Sequence, residues 1–138
     1  MAEFILKDML AKENMTGVEV SSFATSSEEI WGGVGNPVYP PAREQLKKHG
    51  IFCDGKRAVK LTKADYSAYD FFIVMDENNL RNAKLIFGGD SQNKISKLMD
   101  YTARGGNVAD PWYSGNFEVC YRDIEEGCRG VMEQIILK

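Results

Sequence analysis

The 138 residues are 43% hydrophobic and 27% charged, which is enough apolar material for one core and too little chain for two. A formal net charge of −3, with lysines and arginines scattered along the sequence, excludes the basic footprint of a nucleic-acid binder. No apolar run is long enough to span a bilayer, and residues 1–12 interleave charge where a signal peptide would be continuously apolar, so a cytoplasmic protein without membrane contact is expected.

Residues 1–12 place Phe4, Ile5, Met9 and Leu10 at helical spacing, with Glu3, Lys7, Asp8 and Lys12 around the rest of the turn. This amphipathic helix has no Ser, Thr, Asp or Asn to cap its first turn. Residues 18–22 alternate apolar and polar as a short strand would, and residues 26–41, rich in glycine and proline, read as a loop. Residues 42–49 form a predicted helix closed by Gly50. Thr62, with Asp65 three residues on, predicts a capped short helix. The continuous apolar run Phe71-Phe72-Ile73-Val74-Met75 reads as a strand buried on both faces, with Asp76 at its carboxyl end. Residues 77–84 are predicted helical, 94–99 a short strand, 102–107 a loop and 117–137 a long final helix. Strands alternating with helices point to one α/β domain over residues 1–138, built on a parallel sheet with helices on both faces.

Three cysteines, Cys53, Cys120 and Cys128, lack disulfide-framework or metal-site spacing. On one helix Cys120 and Cys128 would stand roughly 12 Å apart, too far to bridge. They read as ordinary thiols of a reducing compartment.

The segment Asp110-Pro111-Trp112-Tyr113, in a loop before a long C-terminal helix, resembles the acid loop of the low-molecular-weight protein tyrosine phosphatases. Other landmarks follow in the same order: Met1-Ala2-Glu3 at the start of the first helix, Val20-Ser21-Ser22-Phe23-Ala24-Thr25-Ser26, Gly35-Asn36-Pro37, His49-Gly50-Ile51, and Val74-Met75-Asp76-Glu77-Asn78-Asn79-Leu80. The resemblance implies a flavodoxin-like fold and metal-free, cofactor-free hydrolysis of phosphotyrosine proteins or small phosphomonoesters through a cysteinyl-phosphate. It implies a nucleophilic cysteine and an arginine in a C-x-x-x-x-x-R-S/T loop, where amide groups and a helix N-terminus cradle the phosphate and depress the thiol pKa.

That pattern is absent from these residues: six positions after Cys53 stands Val59, six after Cys120 stands Glu126, and Cys128 is followed at once by Arg129. The expectation is therefore an N-terminally truncated member, inactive as this chain, whose sheet lacks its first, central strand and whose open strand edges can pair chains into homo-oligomers. Arsenate reduction on the same scaffold would require cysteines among residues 76–90, which contain none. A non-catalytic binding domain is the rival reading.

Within the resemblance Asp110 is the general acid, although Asp-Pro also initiates turns. Trp112 and Tyr113 would wall the slot for the substrate ring, or seal the end of the sheet. Trp31 lies in a glycine-rich loop that borders the same slot in the family. Ser22 and Asp76 match positions that support the phosphate loop, though capping and turn chemistry also account for them. Lys56 stands near the place of a histidine that braces the phosphate loop in much of the family, and His49, at a helix C-terminus, reads as structural.

Overall fold

The computed structural model describes residues 1–26, 30–31, 34–35, 37–53, 55–109 and 115–137, without the side chains of Ile30, Trp31 and Val34. Helix α1 (Ala2–Lys12) starts without a side-chain cap, and the Met1 carbonyl accepts the N–H groups of Phe4 and Ile5. Ile5 and Leu10 are buried, as the spacing predicts, but so is Glu3.

Residues 18–22 do not form the expected strand. A strand exists through its ladder, and among the described residues none pairs with this segment. Pairing begins two residues later, where Ala24 donates its N–H to Val59 and accepts that of Leu61, a single parallel bridge to Lys60. Within the stretch read as a loop lies a small antiparallel hairpin, β1 (Ile30–Trp31) with β2 (Val34–Gly35).

Helix α2 (Pro40–Lys48) begins two residues earlier than expected, with prolines in its first turn, where their missing N–H groups cost nothing. Thr62 and Asp65 form the anticipated capping box on a short 3-10 turn, Lys63–Ser67. Strand β3 (Phe72–Val74) pairs in parallel with β4 (Ile95–Lys97), and helix α3 (Glu77–Phe87) makes the crossover. The side chain of Asp76 caps α3 by accepting the N–H of Asn79 at 2.8 Å. Gly88 ends it at φ +73°, the left-handed conformation glycine adopts most readily. After a 3-10 turn, Leu98–Tyr101, helix α4 (Phe117–Val131) runs into a π turn, Met132–Ile136.

The alternation along β3 divides the core. Phe72 and Val74 pack with Ala83 and Phe87 of α3, while Ile73 and Met75 lie against the cluster of Ile5, Leu46, Met99 and Cys128. Helices therefore cover both faces of the sheet. Close approach on the second face depends on two glycines of α4: a Cβ at Gly127 would sit 2.4 Å from Leu98 Cγ, and one at Gly130 only 2.1 Å from the Tyr101 carbonyl oxygen. Among the described residues β3 is paired on one side alone, and no helix is long and apolar enough to cross a membrane.

Candidate functional site

The first turn of α1 carries a buried polar node. Glu3 is 7% exposed, and its carboxylate gathers three partners. Ser22 donates its hydroxyl to Oε1 at 2.7 Å, the Lys56 ammonium reaches the same oxygen at 2.8 Å, and Lys7 reaches Oε2 at 2.7 Å. Lys56 also donates to the carbonyl of Ser22 at 3.3 Å. Burial pushes the carboxyl up, but Lys56, Lys7 and the Ser22 hydroxyl outweigh it and hold Glu3 at about 2. The node ties α1, the segment before Ala24 and the segment around Lys56 together, with two ammonium groups facing one carboxylate beside a helix N-terminus. It contains no cysteine. The sequence places Glu3 away from the apolar positions of this helix, and its burial comes from Ser22 and Lys56, which lie far along the chain.

Asp110, Trp112 and Tyr113 lie outside the described residues, but both approaches to them are anchored. Val108 donates its N–H to the Met75 carbonyl at the end of β3, at 3.0 Å. Ala109 donates its N–H to Asp123 of α4 at 3.0 Å, and Arg104 holds the other oxygen of that carboxylate at 2.6 Å. On the far side Asn116 caps α4, its side chain accepting the N–H of Val119 at 3.1 Å. Asp123 escaped the sequence reading. The signal was present, since it is a carboxylate on a helical stripe otherwise made of Cys120, Ile124, Gly127, Cys128 and Val131.

The backbone of Trp31 is in β1, and its hairpin is fixed from below. Arg57 donates to the Gly35 carbonyl at 3.1 Å, and a Cβ at Gly35 would fall 1.7 Å from the carbonyl oxygen of Ala58. Of the remaining expected site residues, Ser22 belongs to the Glu3 node and Asp76 is engaged as the α3 cap; no hydrogen bond joins them. His49 stacks on Tyr121, with ring centroids 3.9 Å apart.

All three cysteines are buried and none forms a disulfide. Burial pushes the Cys128 thiol up to about 12, the reverse of what a nucleophile needs. Among the described residues no group of three or more His, Cys, Asp and Glu side chains is gathered as a metal-ligand set.

A family model described as low molecular weight phosphotyrosine protein phosphatase matches residues 1–138. The chain is 32% identical over 138 residues to the low molecular weight protein-tyrosine-phosphatase YfkJ of Bacillus subtilis, covering 98% of this chain and 86% of that protein. It is 30% identical over 143 residues to low molecular weight phosphotyrosine protein phosphatase 1 of Drosophila melanogaster, covering 100% and 89%. The crystal structure of YfkJ superposes with a TM-score of 0.89 at 30% identity, over 97% of this chain and 84% of that one. A low molecular weight protein tyrosine phosphatase from Streptococcus pyogenes gives 0.82 at 29% identity, over 98% and 83%. The flavodoxin-like α/β fold expected from the sequence is thus the fold of this chain.

Proposed function

The chain belongs to the low molecular weight phosphotyrosine protein phosphatase family, and we propose that it carries the acid loop and substrate slot of such an enzyme but not the thiolate. In a polypeptide with a C-x-x-x-x-x-R-S/T loop ahead of Met1, that cysteine attacks a phosphotyrosine or small phosphomonoester. Asp110 protonates the departing oxygen, and Trp112, Tyr113 and Trp31 border the ring. Ser22, bonded to Glu3, and Asp76, whose carboxylate caps α3, occupy positions from which the family supports that loop.

One observation carries this reading: the family match runs through all 138 residues, yet none of the three cysteines stands in the required pattern. The 138-residue polypeptide alone is accordingly inactive. The test compares p-nitrophenyl phosphate turnover by this polypeptide with that of the same chain extended by a strand and a C-x-x-x-x-x-R-S-P loop. Turnover in the extended form alone, cut about 10²-fold or more by Asp110→Asn, supports the assignment. Turnover by the unextended chain refutes it.

The absence of that pattern also favours a second reading, a phosphatase-like binding domain without chemistry. The genomic sequence immediately upstream of Met1 separates the two. The unpaired side of β3 supports a further proposal, that chains associate edge to edge. A single monomeric species in sedimentation would exclude that association.

A further inference from the structure

Along α1 from Ile5 to Glu13, α1, α4 and the π turn line a cleft of about 420 Å3, within the size range of small-ligand sites. Its floor is apolar, formed by Ile5, Met9 and Met132. Tyr121 completes the floor and His49 stacks over its ring. Tyr121 is only 3% exposed, yet its hydroxyl makes no hydrogen bond with any described residue. Every fully enclosed side-chain oxygen among the described residues has a partner, so the Tyr121 oxygen is not enclosed, and the open space available to it is the cleft it lines. A phenol this deeply buried ordinarily finds a partner. Here that position is open.

The rim carries a charge bias. Lys12 is paired with Asp8 at 2.8 Å and Arg129 with Glu125 at 3.1 Å. Glu13 and Glu133 also line the cleft, and among the described residues neither has an ion-pair partner. Two exposed carboxylates without an ion-pair partner therefore stand on the rim of this cleft.

We propose that this cleft is a second ligand site, independent of the phosphatase reading, for a small amphipathic amine whose hydrocarbon body lies on Ile5, Met9 and Met132. Its polar end meets the Tyr121 hydroxyl and its ammonium meets Glu13 and Glu133. The test titrates the isotopically labelled 138-residue chain with tyramine and, as the charge-reversed control, 3-(4-hydroxyphenyl)propionate, following backbone amide shifts. Tyramine should move the amides of Ile5, His49 and Tyr121, and the carboxylate should not. Tyr121→Phe removes a hydroxyl that has no partner to lose, so the fold stays intact while tyramine affinity falls about 3- to 10-fold. The double variant E13Q/E133Q should weaken tyramine without touching the floor, and Met9→Trp should block it. Equal binding of both compounds, unchanged affinity in Tyr121→Phe, shifts centred outside the cleft, or no saturation at millimolar tyramine would each overturn the assignment.

Discussion

The carboxylate of Asp123 accepts the backbone N–H of Ala109 at 3.0 Å, so the residue before the candidate acid hangs from the C-terminal helix. Arg104 secures the same carboxylate at 2.6 Å, and Asp123 is 6% exposed. Asp123→Ala leaves the Ala109 N–H and the guanidinium without their acceptor. The expected loss is about 2–3 kcal/mol in chemical denaturation, with hydrogen exchange at Ala109 rising more than at Val108, whose N–H keeps the Met75 carbonyl. Equal protection at Ala109 in both proteins would remove the anchor from the account.

Glu3 carries a pH signature. Its folded carboxyl sits at about 2 against an ordinary 4.5, so its stabilisation is complete above that ordinary value and is lost as pH falls through the folded one. A depression of this size corresponds to roughly 3 kcal/mol. Glu3→Gln should lose about that much stability at neutral pH. The difference from the parent should shrink steadily between about pH 4.5 and 2, where a pH-independent gap would contradict the assignment.

Burial of the thiols predicts slow alkylation. With Cys128 pushed up to about 12, its thiolate at mildly alkaline pH is scarcer by roughly a thousandfold than that of an ordinary cysteine. Mass spectrometry after iodoacetamide treatment should find Cys128 unmodified in the folded chain and modified in denaturant.

The two α4 glycines are predicted to differ. The Cβ added by Gly130→Ala meets a backbone carbonyl oxygen at 2.1 Å, whereas that of Gly127→Ala meets the side chain of Leu98, which can rotate. Gly130→Ala should therefore be the more damaging in thermal unfolding, by about 1–3 kcal/mol, even though alanine has the better helix propensity.

Elements whose cause is local were legible in the sequence. The apolar run at β3, the Asp76 cap, the Thr62–Asp65 box and the stripe of α4 each rest on residues adjacent or one turn apart. Features decided by distant partners were not. Residues 18–22 carry strand alternation but pair with no neighbour among the described residues, and the pairing of β1 with β2 hides among glycines because strands of two residues have no periodicity to read. Glu3 looked solvated until Ser22 and Lys56, far along the chain, were brought onto it. The π turn after Val131 left no mark in composition.

The contact beneath Gly35 bears on how the β1–β2 hairpin can diversify. With its backbone pressed against that of Ala58, position 35 is closed to anything larger than hydrogen. Libraries that vary this hairpin should therefore leave that single site alone. Survivors bearing alanine at position 35 should show compensating movement around Arg57, whose guanidinium donates to the Gly35 carbonyl.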